Sequence, residues 1–417
     1  MSELIINGKK SLKGEIDIQG AKNSCLPILA ACVLVEGVSV IHNCPKLSDV
    51  NAAVKILEHL GCKVERKGSS LFVDSRKISC YNIPTELMCQ MRSSIVFLGS
   101  VLSRMKKAKL CSPGGCEIGL RPIDLHLSAL RQLGVSIDES AGDLNCEIKN
   151  RLKPGVISLS FPSVGATENI MLASVFSEGK TVILNAAREP EVSDLALFLN
   201  KSGCRVKLDA QGTVVIEGVK NTHGVTHSVL SDRIVSLTYM AAVAAAGGDV
   251  TLNRACASDF LAAIPVFERA GCRIISKKNS LRIISNGKLS CIKDIRTMPF
   301  PGFPTDAQAP IMAMLCKGKG TSVIVENIFE NRFKHVSQLN KMGAKIKVEG
   351  RVAIIDGVSE LYGAPVEAVD LRGGGALVVA ALCAEGKTTV SGIHHVDRGY
   401  EKIEECLRKL GADIERR

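Results

Sequence analysis

A chain of 417 residues is too long for one ordinary core and calls for two or three domains. Its 46% hydrophobic and 23% charged content is that of a folded chain, and no run of about 18 apolar residues offers a membrane span. The formal charge of +11 favours anionic partners, but with no Trp, four Tyr and 4% aromatics there is little for bases to stack on. Small anions are therefore expected rather than nucleic acid or an acidic membrane face.

The opening MSELIINGKK lacks the basic, apolar and cleavage regions of a secretory signal, so a cytoplasmic protein is expected. The 16 cysteines then read as reduced thiols. Most stand where Val or Ala would serve, as Cys32 does in LAACVLV and Cys383 in AALCAEG, which suits a small buried hydrophobe. Neither a CxxC pair nor HExxH occurs, so no metal is expected.

In chain order, the first predicted helix begins after Gly20-Ala21-Lys22-Asn23 and runs through LPILAACVLVEG into the strand VSVIHN. The glycine suits a left-handed helix terminus and the β-branched run suits a strand. A second helix follows, amphipathic through Val50, Ala53, Val54, Leu57 and Leu60, and it ends at EHLGCKVE. That ending recurs as RQLGVSID, NKSGCRVK, ERAGCRII, NKMGAKIK and RKLGADIE, with glycines at 61, 134, 203, 271, 343 and 411, spaced 68 to 73 residues apart. The first half of the unit recurs as IMLASVFSEGKTVILN and LVVAALCAEGKTTVSG. Six units of roughly 70 residues therefore fill the chain. Asp49, Asp194 and Asp259 are expected to cap the second helices, the last of which shows Ile403, Cys406, Leu407 and Leu410 on one face. The first helices, nearly uncharged, look buried all round, and the second half exposed. Helices inside and strands outside is the arrangement this implies, closed as one ring or as three plus three.

Residues that intrude on the repeat are the functional candidates. Lys22 stands at the start of a buried helix, where it is either a solvated charge or a cation facing an anion that offsets the helix dipole. In the second unit LCSPGGCEIGLRPIDLH replaces a short turn, and Cys116 beside Arg121 is either a buried loop thiol or an activated acid, base or nucleophile. PFPGFPTDAQAP sets Asp306 at a helix start, where Asp306 or Thr305 would ordinarily be an N-cap. Arg332 in ENRFKH, Asp370 and Arg372 in VDLRGGGA, and Arg398 in VDRGYE occupy junctions of the unit. Each alone is an ordinary surface charge; together these cations could converge on a multiply charged anion.

The motifs GAKN, GGCEIGLRPIDLH, SVGATENI, NAAREPE, GFPTD, ENRFKH and DRGYE, in that order along essentially the whole chain, closely resemble the enolpyruvyl transferase family, in its branch acting on UDP-N-acetylglucosamine. The resemblance implies an α/β fold of two inside-out α/β barrels, six units arranged three plus three, with the active site in the interdomain cleft. The implied domains are 22–230 and 1–21 with 231–417, with a hinge near residues 21 and 230. The implied reaction joins phosphoenolpyruvate to the 3-hydroxyl of UDP-N-acetylglucosamine and releases phosphate, the first committed step of peptidoglycan precursor synthesis, with no cofactor. By resemblance Cys116 is the general acid and the residue alkylated by fosfomycin. Asp306 is the base or orienting group, and Lys22, Arg121 and Arg398 contact phosphate. Arg332 and Arg372 surround the carboxylate, and Asp370 is a catalytic aspartate. Asn23, Arg92, Arg121, Pro122, Ile123, Asp124, Leu125, Ser163, Val164, Gly165, Asp306 and Ile328 correspond to the nucleotide-sugar side.

Two departures stand out from the family pattern. Phe161 and Pro162 stand where some members carry a lysine, which implies a missing diphosphate contact. Gly373, Gly374 and Gly375 replace an Ala/Ser-rich segment and are expected to loosen the helix behind Arg372. The alternatives are the sister transferase of shikimate 3-phosphate, against which the GGCEIGLRP loop argues, and a non-catalytic scaffold for polyanions. The latter needs a continuous basic surface, whereas the distinctive cations here sit singly beside acids.

Overall fold

The computed structural model describes residues 2–111, 123–139 and 142–417. They divide into two compact units, Met1–Gln19 with Ser231–Arg417, and the described residues between Gly20 and Leu230. Each has its own apolar core: one gathers residues from Leu4 to Ile18 and from Ile234 onwards, the other residues from Cys25 to Val229.

The centre of each core is helical. In the 20–230 unit the inner helices are α1 (Lys22–Ala31), α2 (Phe97–Met105) and α3 (Val164–Ala173). In the 231–417 unit they are α4 (Arg233–Ala246), α5 (Gln308–Leu315) and α6 (Leu371–Cys383). Every residue of α5 is buried, α4 is buried except at Ala246, and α6 except at Leu371. Ala and Gly along α4 and α6 let the helices approach closely, and α4, α5 and α6 each pack against the other two. With no face left for solvent, the capping groups sit at the helix ends, and the ionisable Glu168 in the middle of α3 is buried. Asp232 caps α4 by accepting from the Ile234 and Val235 amides, Asp370 caps α6 from Arg372 and Gly373, and Ser163 caps α3 from Ala166.

Strands enclose these helices. Among the described residues there are six four-stranded sheets, three per unit, each with a parallel pair at one edge and antiparallel neighbours beyond it. Thr226–Ser228 returns to lie parallel to Val38–His42, so the end of the 20–230 unit closes on its first sheet. In the other unit Leu12–Asp17 pairs parallel with Gly248–Asn253. Leu4–Asn7 inserts antiparallel between Lys387–Ser391 and Asp413–Arg416, supplying the strand that the last repeat lacks. Strand burial alternates, as in Val352–Asp356 and Ser70–Asp74, with the apolar side turned to the core.

The six repeat glycines share one conformation. Gly61, Gly134, Gly203, Gly271, Gly343 and Gly411 have φ between +88° and +105°, each ending an outer helix. The expected aspartate caps differ. Asp49 lies inside the first turn of Ser48–His59, where its carboxylate meets Lys22 Nζ at 3.0 Å. Asp194, in the interior of Pro190–Lys201, accepts from Ser24 Oγ, His227 Nε2 and the Leu230 amide at 2.5, 2.9 and 3.1 Å. Asp259 belongs to the 3-10 turn Ala257–Phe260 and caps no helix. Buried partners took the first two carboxylates, because a buried cation or donor repays more than a solvated helix end.

Gly411 has a φ of +92°, and a Cβ there would meet nothing nearer than 3.8 Å. Gly411→Ala therefore isolates the backbone cost, and urea unfolding is expected to show a loss of about 1 to 2 kcal/mol, with Gly411→Asn losing less.

Candidate active site

Three inner-helix starts meet in the 231–417 unit. Asp306 lies in the 3-10 turn Thr305–Ala307 that leads into α5, and it caps nothing. Its Oδ1 accepts from Arg332 Nη2 at 2.6 Å, and its Oδ2 from Arg372 Nη2 at 3.0 Å and Nε at 3.2 Å. The arginine side chains are 5% and 3% exposed and that of Asp306 26%, so the carboxylate is the group of the three that faces outward. Arg332 lies over the Phe329 ring at 5.4 Å and Arg372 over Tyr400 at 5.5 Å. Burial opposes the charge of Arg372, but Asp306, Tyr400 and Asp232 more than offset it, and the guanidinium is held above its ordinary range. One carboxylate fixed between two cations can take a hydrogen bond from a substrate hydroxyl in a fixed direction.

A second buried acid frames this site, and composition alone did not single it out. Glu326, fully buried, accepts from Thr297 and Thr305 hydroxyls at 2.8 and 2.9 Å. The Ile328 and Phe329 amides also donate to it, at 2.9 and 3.2 Å. It ties the loop carrying Ile328 to the turn carrying Asp306. The available signal was an acid closing the apolar strand Thr321–Val325. Arg398 is half-buried in the 3-10 turn Val396–Arg398.

In the 20–230 unit Lys22 begins α1, and Asp49 supplies the anion that such a lysine requires. Asn23 beside it is exposed. Ser163, Val164 and Gly165 are half-buried at the start of α3. A Cβ on Gly165 would come within 3.0 Å of the His126 ring, so this backbone is bare because the imidazole presses against it. Asn169 holds that ring by donating to Nδ1 at 2.7 Å, and also donates to the Ile95 carbonyl at 2.9 Å. Asp124 is exposed and Leu125 half-buried in the first turn of Asp124–Gln132, and Ile123 precedes it. Cys116, Arg121 and Pro122 lie outside the described residues, and of Arg92 only the backbone, in the 3-10 turn Arg92–Val96, is described.

Two buried histidines and one buried carboxyl carry the pH response, in opposite senses. Burial pushes His126 down from 6.5 to about 4, with Asp124 pulling the other way. Burial also lowers His335, assisted by Arg332 and opposed by Asp370. Burial drives Glu168 of α3 in the opposite sense, well above the usual carboxylate range, with Glu191 and Glu189 adding to the rise.

The fold is one seen in an enolpyruvyl transferase. It superposes on the enolpyruvyl transferase NikO from Streptomyces tendae with a TM-score of 0.89 at 23% identity, covering 100% of this chain and 98% of the other. The family model described as EPSP synthase (3-phosphoshikimate 1-carboxyvinyltransferase) matches residues 6–407, and the chain belongs to that family. Within it, the UDP-N-acetylglucosamine 1-carboxyvinyltransferase 2 of Caldanaerobacter subterraneus subsp. tengcongensis is 50% identical over 416 residues, covering 100% of both chains. The UDP-N-acetylglucosamine 1-carboxyvinyltransferase of Finegoldia magna is 46% identical over 99% of this chain and 98% of its own. Among the described residues no helix is long and apolar enough to cross a membrane.

Asp306→Ala leaves two buried guanidinium groups facing no carboxylate. A loss of about 3 kcal/mol is expected in urea unfolding, at the low end for a broken buried pair because Asp306 is partly solvated. The histidines are neutral in the folded chain and titrate near 6.5 when unfolded, so the unfolded chain binds more protons between about pH 6.5 and 4. The stability that depends on them is full above pH 6.5 and falls with acidification, by about 1.4 kcal/mol per pH unit per histidine. Glu168, protonated when folded and ionised when unfolded over this range, offsets one histidine, so urea titrations from pH 7.5 to 5 are expected to show a net loss of about one histidine's worth; a profile that is flat or rises on acidification contradicts it.

Proposed function

We propose that this protein transfers the enolpyruvyl group of phosphoenolpyruvate to the 3-hydroxyl of UDP-N-acetylglucosamine and releases phosphate, as a cytoplasmic enzyme that begins peptidoglycan precursor synthesis. The observation that carries this reading is the 50% identity, over both full lengths, to a relative named for that activity.

The chemistry asks for an acid, a base and neutralisation of anionic charge. In this reading the Cys116 thiol gives its proton to the vinyl carbon, leaving an oxocarbenium-like centre at the carbon that bears phosphate. The sugar 3-hydroxyl attacks that centre while Asp306 accepts the hydroxyl proton, forming a tetrahedral ketal. Loss of a proton from the methyl carbon and departure of phosphate then restore the double bond. Lys22, Arg121 and Arg398 hold the phosphate, and Arg332 and Arg372 neutralise charge near the carboxylate. Asp370 stands near the reacting carbon, and its capping bonds to the Arg372 and Gly373 amides at 3.0 and 2.8 Å fix its direction. Asn23, Arg92, Ile123, Asp124, Leu125, Ile328 and the Ser163 to Gly165 turn serve the nucleotide sugar. Fosfomycin alkylates Cys116.

Phosphate release is expected only when both substrates are present; release with shikimate 3-phosphate as acceptor overturns the reading. Intact mass after fosfomycin is expected to show one adduct, on Cys116. Cys116→Asp is expected to keep turnover and lose that adduct, since a carboxylic acid donates a proton but is a weak nucleophile toward an epoxide.

A further inference from the structure

We propose that Tyr400 is the positioning residue that holds the Arg372 guanidinium on Asp306, and that glycine at position 375 is the condition for it. The inference rests on the role given above to Arg372, beside the phosphoenolpyruvate carboxylate.

The three glycines after Arg372 do not loosen their helix: α6 is continuous from Leu371 to Cys383, and all three are buried in it. Glycine inside a helix costs roughly 1 kcal/mol relative to alanine, so three in a row require packing that a side chain would forbid. A Cβ on Gly373 would come 2.9 Å from His335 Cβ, and one on Gly374 would come 2.6 Å from Val396 Cγ2. On Gly375 it would come 2.6 Å from Tyr400 Oη and 2.9 Å from Cζ. Gly373 therefore makes room for His335, and the groove left by Gly374 and Gly375 seats the segment that carries Val396, Arg398 and Tyr400. Gly399 belongs to the same seat, since a Cβ there would come 2.8 Å from Leu371 Cδ1.

Arg372 and Gly375 are three residues apart on one face of α6, so the ring that fills the glycine groove also comes beneath the guanidinium. The ring is 1% exposed and its centroid lies 5.5 Å from Arg372 Cζ. Its orientation is fixed at the hydroxyl, which also interacts with the Arg372 guanidinium. Thr238 of α4 donates its hydroxyl proton to the Ile234 carbonyl at 2.9 Å, leaving its oxygen to accept from Tyr400 Oη at 3.0 Å. Tyr400 thus couples α4 to the arginine of α6, whose other side faces the carboxylate before α5. A guanidinium with an aromatic face on one side and Asp306 on the other has little rotational freedom left to lose when a substrate carboxylate arrives.

Steady-state kinetics with both substrates, beside thermal midpoints, test this on four variants. Tyr400→Leu is expected to raise KM for phosphoenolpyruvate roughly tenfold, as for a lost cation–π contact in a desolvated site. KM for UDP-N-acetylglucosamine should stay within about twofold of wild type. Gly375→Ala is expected to lower kcat/KM for phosphoenolpyruvate by about tenfold. Gly375→Ala with Tyr400→Phe should recover part of that loss, because the second change removes the atom nearest the new methyl, and Tyr400→Phe alone should be mild. Wild-type kinetics for Gly375→Ala, a loss that Tyr400→Phe does not relieve, or equal rises in both KM values for Tyr400→Leu each overturn the proposal. Should Gly375→Ala fail to fold, the KM split of Tyr400→Leu decides alone. Wild type that releases no phosphate refutes the assigned reaction instead, so the two failures are distinguishable.

Discussion

Burying two guanidinium groups to within a few per cent of full exclusion is tolerable only if each finds a compensating charge and an accommodating surface. In the 231–417 unit both find the same carboxylate, Asp306, and each lies over its own aromatic ring. The rest of that unit is arranged to permit this. Glu326 fixes the turn from which Asp306 projects, Asp370 caps the helix from which Arg372 projects, and the glycines of α6 make room for the ring beneath it. The carboxylate neutralises both buried cations and is still the one of the three groups that faces outward.

The constraint behind this is architectural. A helix buried on every side has no polar stripe along its length, so its ends are where polar chemistry can be placed. The side chains singled out from the sequence accordingly collect at inner-helix starts: Lys22 and Asn23 at α1, Ser163 to Gly165 at α3, Asp306 before α5, Asp370 and Arg372 at α6. Helix starts also present unpaired N–H groups and the positive end of the dipole, which suits anionic substrates. The 20–230 unit solves its own version of the problem with Lys22 against Asp49 and with Asp194, whose carboxylate joins α1 to the returning strand through Ser24 and His227.

Much of this was legible in the residues. The six-fold spacing of glycines announced six equivalent turns, and all six adopt the left-handed conformation that makes glycine the natural choice there. The contrast between uncharged first helices and amphipathic second helices announced which lie inside. The partners of Asp49, Asp194 and Asp306 were not legible, because an aspartate near a helix start looks the same whether it bonds an amide two residues away or, as here, a lysine, an arginine, a serine or a histidine 26 to 170 residues away. Glu326 and Tyr400 escaped notice for a related reason: a buried acid and a buried phenol have meaning only through their partners.

What the sequence determined by itself was periodic and local: repeat length, helix and strand alternation, the left-handed turns, and the residue types that resemble an enolpyruvyl transferase. Only the tertiary structure decided which charges meet. It paired Lys22 with Asp49, set Arg332 and Arg372 on one carboxylate, and turned three glycines expected to loosen a helix into seats for His335, Val396 and Tyr400. The physical reason is that backbone preference acts over a few neighbouring residues, whereas the cost of a buried charge or an empty groove is settled by whichever distant segment the fold brings against it.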